Sequence, residues 1–298
     1  MILNSVLDTV GRAPLIRLQK MSSGNVFVKA EYLNPGGSIK DRVAKHIIES
    51  AEREGKLKPG MVIIEATSGN TGIGLSLVGR QKGYKVICVM PENMSEERKK
   101  IILAFGGEIV YSPTEGSLLG CLKKIQEIIQ NGPEKYFVAN QFGNPHNPEI
   151  HYKQTAPEIW DDLGGDIDIF IAGVGSGGTL QGVGKYLKEK RPDVKIVAVE
   201  PKNCSALLGR EPGLHRIQGI GDGFIPDILD VNLVDMVFTV SDEEAIETTQ
   251  RLSREEGLLV GTSSGANVFA ALHMDSGRKK VVTILPDRAE RYFSTALL

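Results

Sequence analysis

A lysine ends a turn of small residues near the start of the chain. The segment Asn34–Lys40 reads Asn-Pro-Gly-Gly-Ser-Ile-Lys, and a helical pattern begins directly after it at Asp41. Burial disfavours a charged ammonium, so a lysine packed against small residues has a lowered pKa. A neutral amine is a nucleophile that forms a Schiff base with an aldehyde. Taken alone, the segment also fits a solvated lysine at a helix start, since most lysines are exposed.

A second glycine-rich turn, Gly173–Thr179, follows an apolar strand pattern and precedes a helical one. Glycines let the backbone approach an anion closely, and a helix start offers unpaired N–H groups and the positive end of the helix dipole. Ser176 and Thr179 add hydroxyl donors. The turn therefore predicts a phosphate site. It has no lysine at the P-loop position, which disfavours a nucleoside triphosphate.

The same turn supports a different interpretation. It matches G-x-G-x-x-G at Gly173, Gly175 and Gly178, and Glu200 ends a later strand pattern. A dinucleotide-binding fold places its ribose-binding acid in a similar position. An NAD-binding oxidoreductase is thus the alternative from a different class, although it leaves Lys40 without a role.

Two further turns are rich in hydroxyl and amide groups. Thr67–Gly72 follows the strand pattern Met61–Ala66 and contains two threonines, a serine and an asparagine. Such donors at a helix start suit a small carboxylate, although helix caps select the same residue types. Gly261–Ala266 follows Leu258-Leu259-Val260 and would by itself be interpreted as a cap.

Together these turns predict a ligand set that contains an aldehyde, a carboxylate and a phosphate group. Pyridoxal phosphate with an amino-acid substrate supplies all three groups, and the turn Gly261–Ala266 could bind its ring nitrogen. The chain also resembles a known family. Asn34–Arg42, Thr67–Gly72, Gly173–Thr179, Gln218–Gly221 and Gly261–Ala266 are similar to the signatures of the cysteine synthases, or O-acetylserine sulfhydrylases, which are pyridoxal-phosphate enzymes of fold type II. The resemblance runs from Thr9 to Ser294.

The resemblance implies roles for particular residues. Lys40 would hold the cofactor as a Schiff base and later act as base and acid, and Asn70 would contact the phenolate oxygen of the cofactor. Ser263 would meet the pyridine nitrogen. The phosphate would be bound by Gly175, Ser176, Gly177, Gly178 and Thr179. The substrate would be bound by Thr67, Ser68, Gly69, Thr71, Gln141 and Gly219.

The implied reaction is a β-replacement on an O-activated serine. Sulfide adds to an aminoacrylate and L-cysteine is released, with no metal required. The family also implies a homodimer, closure of a smaller domain over the substrate carboxylate, and binding of the C-terminal tail of serine acetyltransferase as a further partner.

Asp222 departs from the family pattern, because cysteine synthases usually have a small residue at this place in Gln218–Phe224. A carboxylate there could contact the substrate amine, position a water or repel an anionic donor, or it could simply be solvated. The alternatives are therefore release of hydrogen sulfide from cysteine, or a short cystathionine β-synthase. The donor is open among O-acetylserine, O-phosphoserine, serine and cysteine.

The elements that must position these residues alternate between short apolar runs and amphipathic stretches, which predicts an α/β protein with parallel sheets. The predicted strands are Val26–Glu31, Met61–Ala66, Lys85–Met90, Glu108–Tyr111, Tyr136–Asn140, Ile167–Ala172, Lys195–Glu200, Met236–Val240 and Lys280–Leu285. The predicted helices include Asp41–Glu54, Thr71–Lys82, Ser95–Phe105, Ser117–Gln130, Thr179–Lys190 and Asp242–Glu256.

So many strands predict two domains, each with a twisted, mostly parallel sheet flanked by helices, as in the tryptophan synthase β-like fold. The turn-rich segment Gly143–Pro148 marks a break. We expect a larger domain of residues 1–40 and 146–298, which binds the phosphate. Residues 41–145 would form a smaller, mobile domain that binds the substrate carboxylate.

Composition limits the class of protein. The chain has 298 residues, of which 24% are charged and 41% hydrophobic, which is typical of globular proteins. A net charge of -2 disfavours nucleic-acid binding. No apolar run has membrane-spanning length, and the first residues lack a signal-peptide pattern, so a cytoplasmic location is expected. The three cysteines and five histidines form no metal-binding motif.

Overall fold

The computed structural model describes residues 2–67, 69–112, 117–295 and 297. Within these residues the strands are β1 (Leu15–Arg17), β2 (Val26–Lys29), β3 (Val62–Ala66), β4 (Lys85–Pro91), β5 (Glu108–Ser112), β6 (Tyr136–Val138), β7 (Ile169–Gly173), β8 (Lys195–Pro201), β9 (Met236–Val240) and β10 (Val281–Ile284).

The α-helices of the same residues, in chain order, are α1 (Lys40–Arg53), α2 (Asn70–Gln81), α3 (Glu96–Ala104), α4 (Ser117–Ile129), α5 (His146–Ile150), α6 (Ala156–Asp162), α7 (Gly178–Lys190), α8 (Asp242–Arg251) and α9 (Thr262–Met274). Two π-helical turns follow α5 and α8, at His151–Thr155 and Leu252–Glu256. None of the helices in the described part of the chain combines the length and apolar character that a membrane crossing requires.

The chain separates into two compact units. The first contains the residues up to Val10 and Asn34–His146, and the second contains Gly11–Leu33 and the residues from Asn147 onward. The first unit has a four-stranded parallel sheet in the order β5-β4-β3-β6. The second has a six-stranded sheet in the order β1-β2-β10-β7-β8-β9, in which β1 alone is antiparallel to its neighbour. The predicted α/β class with two parallel-rich sheets is confirmed.

Central strands of both sheets are covered on both faces, which explains their continuous apolar sequences. Ile63 and Ile64 of β3 are fully buried, as are Phe170 and Ile171 of β7. In the first unit, α4 packs on one face of the sheet through Cys121 and Ile125.

The sequence interpretation missed some elements. Strand β1 has only three residues and lies at a sheet edge, so its apolar signal is weak. Gly261–Ala266, interpreted as a turn, is mostly the first turn of α9. A Cβ atom at Gly265 would lie 2.1 Å from the carbonyl oxygen of Ala245 in α8. This close approach of two helices requires glycine and overrides its low helix propensity.

A buried glutamate determines where β6 ends. Strand β6 pairs with β3 as far as Val138. Beyond it, the Glu65 carboxylate accepts the main-chain N–H groups of Asn140 (2.6 Å) and Gln141 (3.1 Å), and the backbone of Asn140 turns to a φ of 53°. Burial raises the pKa of Glu65 from its ordinary value of 4.5 to about 7, although the hydrogen bonds from Gln141 and Asn140 lower it.

Helix α7 packs very closely on the segment that follows α5. A Cβ atom at Gly182 would lie 2.2 Å from the carbonyl oxygen of Pro148 and 2.7 Å from Cβ of His151. Gly178, one turn earlier on the same helix face, would meet Oδ1 of Asn147 at 2.1 Å. Helix α7 can therefore pack this closely on the preceding segment only with glycine at both positions.

We expect Gly182→Ala to destabilise the protein by about 1–3 kcal/mol or more, because the methyl group would overlap main-chain atoms that cannot move away. Gly184→Ala is the matched control. There the new Cβ would lie 3.0 Å from a flexible leucine side chain, and alanine is favoured over glycine in a helix. Thermal unfolding of the two variants would measure the difference. Equal effects of the two substitutions would contradict this packing account.

The raised pKa of Glu65 predicts a pH-dependent stability. Between about pH 4.5 and 7 the native state binds more protons at this carboxyl than the unfolded chain. The stability that Glu65 contributes is therefore fully present below that window and is lost as the pH rises through it, by about 3 kcal/mol. Glu65→Gln, which stays neutral, should lose this dependence. Melting temperatures of both proteins across the window would test this, and a constant difference between them would refute it.

Candidate active site

Lys40 is the first residue of α1, and the turn before it is held by short hydrogen bonds. The fully buried Asp41 carboxylate accepts the N–H of Gly36 at 2.6 Å, and Ser38 Oγ accepts the N–H of Lys40 at 3.2 Å. A Cβ atom at Gly36 would lie 2.5 Å from Oδ1 of Asp41, so only glycine fits there. Lys40 itself is half-buried. The sequence prediction of a lysine at a glycine-lined helix start is therefore correct in its geometry.

Helix α2 packs against the start of α1 at Lys40. A Cβ atom at Gly74 would lie 2.9 Å from the Lys40 carbonyl oxygen. Asn70 is one helical turn before Gly74 and lies on the same face of α2. The structure thus brings the two predicted cofactor residues of this unit, Lys40 and Asn70, to the first residues of two packed helices.

The predicted carboxylate-binding residues form a hydrogen-bonded group at the carboxyl end of β3. Thr71 Oγ1 donates to Oε1 of Gln141 at 2.6 Å, and Nε2 of Gln141 donates to the Ala66 carbonyl at 3.2 Å. Thr67 Oγ1 accepts the N–H groups of Gly69 (3.0 Å) and Gly72 (3.2 Å). Thr67 therefore also acts as a local cap. Ser68 lies outside the described residues.

Gly69 of the same group lies under an arginine that the sequence analysis did not identify. A Cβ atom at Gly69 would meet Cδ of Arg98 at 2.2 Å. Arg98, on α3, is buried. A guanidinium beside a helix start reinforces the positive potential there.

The predicted phosphate loop of the second unit leads from β7 into α7. Gly177 precedes the helix with a left-handed φ of 79° and provides no side-chain cap, so the first N–H groups of α7 remain available for an anion. Asn147 Nδ2 donates to Ser176 Oγ at 3.0 Å, and Thr179 Oγ1 is 3.3 Å from Nε2 of His151.

Asn147 and His151 were not predicted as site residues. His151 is one of the five histidines that form no metal-binding motif, and Asn147 lies in the turn-rich segment Gly143–Pro148 that was interpreted as a break. Both are fully buried. They orient the two hydroxyl groups of the loop from a distant part of the sequence, and no local pattern signals this contact.

The segment containing Gly219 and Asp222 packs beside the phosphate loop. Gly221 N–H donates to the Val174 carbonyl at 2.9 Å. A Cβ atom at Gly175 would lie 2.4 Å from the Gly219 carbonyl oxygen and 3.7 Å from Oδ2 of Asp222. The exposed Asp222 carboxylate therefore lies next to the loop.

Ser263 lies in the first turn of α9, near the same loop. Gln218 N–H donates to Oγ1 of the neighbouring Thr262 at 3.0 Å. Asn267, one turn after Ser263, would be 3.2 Å from a Cβ atom at Gly173. The face of α9 that holds Ser263 thus lies towards the start of the loop. The Oγ atom of the adjacent Ser264 is buried and makes no hydrogen bond to the described part of the chain.

These donors fit the groups of pyridoxal phosphate. The amine of Lys40 suits an aldehyde, and the uncapped start of α7 suits a phosphate. The start of α9 also lacks a side-chain cap and contains buried hydroxyl groups, which suit a ring nitrogen as hydrogen-bond acceptor. By contrast, α8 is closed by a capping box between Ser241 and Glu244.

The carboxylate of Glu200, which the oxidoreductase alternative assigns to a ribose, is hydrogen-bonded within the loop that follows β8. Its buried carboxylate accepts Ser205 Oγ at 2.6 Å and the Leu207 N–H at 3.2 Å. The pKa of Glu200 is raised above its ordinary value, because the effect of burial outweighs that of the hydrogen bond from Ser205, which lowers it. This carboxylate holds the loop that follows β8 by accepting hydrogen bonds from residues of that loop. This use of Glu200 argues against the oxidoreductase alternative, in which its carboxylate would bind a ribose.

Comparisons with known proteins favour a pyridoxal-phosphate enzyme over a dinucleotide-binding oxidoreductase. The pyridoxal-phosphate dependent enzyme family matches residues 6–287. A cysteine synthase of Staphylococcus aureus (strain Mu50 / ATCC 700699) is 47% identical over 301 residues, which cover 99% of this chain and 96% of the relative.

Solved structures match over the same extent. O-acetyl serine sulfhydrylase isoform 3 from Entamoeba histolytica has a TM-score of 0.94 at 44% identity and covers 100% of this chain and 92% of its own. A hydrogen sulfide-producing enzyme from Fusobacterium nucleatum has a TM-score of 0.93 at 42% identity, with coverage of 98% and 99%.

The match extends over nearly the whole chain in both sequence and fold, and the helix starts described above hold the residues on which the resemblance was based. The chain belongs to the cysteine synthase family of pyridoxal-phosphate-dependent enzymes.

Proposed function

We propose that this protein makes L-cysteine by β-replacement on an O-activated serine, in which sulfide takes the place of the leaving group on Cβ. The observation that carries the proposal is the 47% identity to a cysteine synthase over 99% of the chain. Such an extent includes the residues of both units that the site requires. O-acetylserine is the donor that the name of the Entamoeba histolytica relative supports.

Lys40 would hold the cofactor through its amine and then move the proton of the substrate Cα. Bound pyridoxal phosphate supplies an aldehyde carbon for the amino group and a ring that draws electron density away from Cα. The half-buried position of Lys40 at the first residue of α1 supports a role as base and acid, because the packed helices hold its backbone in place.

Thr67, Gly69, Thr71 and Gln141 would bind the substrate carboxylate, and Ser68 is proposed with them from the sequence. Their support is the hydrogen-bonded group at the start of α2, where N–H and hydroxyl donors converge. Fixing the carboxylate orients the Cα–H bond towards the base.

In the second unit, Gly175 through Thr179 would bind the phosphate with main-chain N–H and hydroxyl groups, supported by the uncapped start of α7. Ser263 would donate a hydrogen bond to the ring nitrogen. A hydroxyl is a far weaker acid than a carboxylic acid, so Ser263 would keep its proton. In the first unit, Asn70 would contact the phenolate oxygen of the cofactor. Gly219 would face the substrate.

A second candidate function is release of hydrogen sulfide from cysteine, in which sulfide is the leaving group and water or another nucleophile replaces it on Cβ. The position of Asp222 beside Gly175 favours it, because a carboxylate there can accept a proton from an incoming water. The hydrogen sulfide-producing relative from Fusobacterium nucleatum is consistent with this candidate.

We further propose a homodimer in the cytoplasm that accepts the C-terminal tail of serine acetyltransferase. These proposals rest on the family alone.

We expect Lys40→Ala to abolish the yellow colour that borohydride bleaches and to reduce turnover by about 10²–10⁴-fold, the usual contribution of a general acid–base. Lys45→Ala is the matched control, since Lys45 is on the same helix and its amine donates to the Leu7 carbonyl. Absorbance spectra and turnover of both variants would test this. Parental turnover by Lys40→Ala would refute the proposed function.

For Asp222→Ala we expect sulfide release from cysteine to fall by about tenfold or more and cysteine formation to change less, because only the former needs an activated water. O-acetylserine, O-phosphoserine, serine and cysteine would each be supplied with sulfide or homocysteine, and products identified by mass. Asp227→Ala removes a neighbouring exposed charge as the control. Unchanged rates with every donor would exclude a role for Asp222 in reaction specificity.

A further inference from the structure

Glu65 is a charged residue in the middle of a sheet, where such residues are rare unless they are hydrogen-bonded. It belongs to the central strand β3 and is 2% exposed. Its neighbour across the sheet is Cys88 of β4, whose pKa burial raises to about 12, so that the thiol remains neutral. The carboxylate of Glu65 is not among the groups to which the sequence or the family resemblance assigned a role.

Both oxygens of the Glu65 carboxylate accept hydrogen bonds from the segment that follows β6. Oε2 accepts the N–H of Asn140 and Oε1 that of Gln141. The last main-chain bond from this segment to β3 is that of the Ala139 N–H, which donates to the Ile64 carbonyl at 3.2 Å. Directly after it, the glutamate accepts the next two N–H groups in charge-assisted bonds at the point where the backbone turns away from the sheet.

The turn that follows is closely determined. Asn140 has a left-handed φ of 53°, and its carbonyl accepts the N–H groups of Gly143 (3.1 Å) and Asn144 (2.9 Å). Asn144 Nδ2 donates to the Ala139 carbonyl at 2.8 Å. Asparagine adopts a left-handed φ more readily than most residues, and here the Glu65 carboxylate and the turn hydrogen bonds hold this conformation from both sides.

The side chain of Gln141 leaves this turn towards α2. Its amide is bound at both atoms, to Thr71 Oγ1 and to the Ala66 carbonyl. One short chain of contacts therefore leads from the Glu65 carboxylate through the Gln141 backbone to the hydroxyl of Thr71.

We propose that Glu65 is a positioning residue for the substrate carboxylate, acting through the backbone of Gln141 to fix the Gln141 amide and the Thr71 hydroxyl. The proposal rests on the proposed function, since it takes Thr71 and Gln141 as binders of an amino-acid carboxylate. It adds a residue that never touches substrate or cofactor.

Glutamine is the informative substitution. It has the same shape, but only one of its two terminal atoms is an acceptor, and its NH₂ group would face a main-chain N–H. One of the two anchoring bonds would be lost. We expect the KM for the amino-acid donor to rise about tenfold or more, in keeping with the loss of a hydrogen bond to a charged group. The cofactor spectrum, kcat and the KM for sulfide should stay close to those of the parent.

The experiment uses the holoenzyme above about pH 8, where a carboxyl of this pKa is ionised. Steady-state kinetics would be measured for Glu65→Gln, Gln141→Ala and the double variant. If Glu65 acts through Gln141, the double variant is no worse than the poorer single one, whereas independent effects would multiply. Hydrogen exchange of the peptide containing Asn140 and Gln141 should quicken in Glu65→Gln.

Glu200→Gln is the matched control, because Glu200 is also a buried glutamate at a strand end with two bound donors. It should leave the donor KM within about twofold. If Glu65→Gln does not fold, Glu65→Asp takes its place, since the shorter side chain keeps the charge but cannot reach both N–H groups.

An unchanged donor KM in an active Glu65→Gln enzyme would overturn the positioning proposal, and so would multiplicative effects in the double variant. A parent protein that converts none of the amino-acid donors would instead overturn the proposed function. In that case the exchange measurement would still report whether Glu65 holds the turn.

Discussion

The site depends on main-chain N–H groups at helix starts that no side chain of the helix itself satisfies. The N-cap residues of α1, α2, α7 and α9 make no side-chain cap hydrogen bond, although Ser38 accepts the Lys40 N–H of α1 and Thr67 accepts the Gly72 N–H of α2. The N–H groups of a first helical turn and the helix dipole together favour negative or electron-rich groups. Pyridoxal phosphate and an amino acid supply such groups, which is why we propose these helix starts as their binding positions.

Helix starts that are to bind a ligand must be held in place by residues outside the binding positions. Asp41 ties down the turn before Lys40, Asn147 and His151 hold the hydroxyls of the phosphate loop, and Glu65 holds the turn before Gln141. All of these anchors are buried polar residues. Buried polar groups are costly unless they are bonded, and each of these makes at least one hydrogen bond to a proposed binding loop or to the turn beside it.

Glycine serves two different purposes around these anchors. At Gly177 it allows the left-handed backbone that turns the chain into α7. At Gly36 it leaves room for a buried carboxylate, which would otherwise overlap a Cβ atom. The glycine-rich character of the motifs thus reflects packing around the site as well as access for a ligand.

Local chemistry in the sequence was sufficient to predict the alternation of strands and helices, and it identified the turns Asn34–Lys40, Thr67–Gly72 and Gly173–Thr179 as candidate binding segments at helix starts. Each depends on neighbouring residues, and near neighbours in sequence stay neighbours in space. The family resemblance then supplied Gln141 and Ser263, which no local pattern identifies. Only the tertiary structure revealed Glu65, Asn147, His151 and Arg98 as supports, because their partners are distant along the chain. It also decided against Glu200 as a ribose ligand, since the occupancy of a carboxylate depends on which donors the fold brings to it.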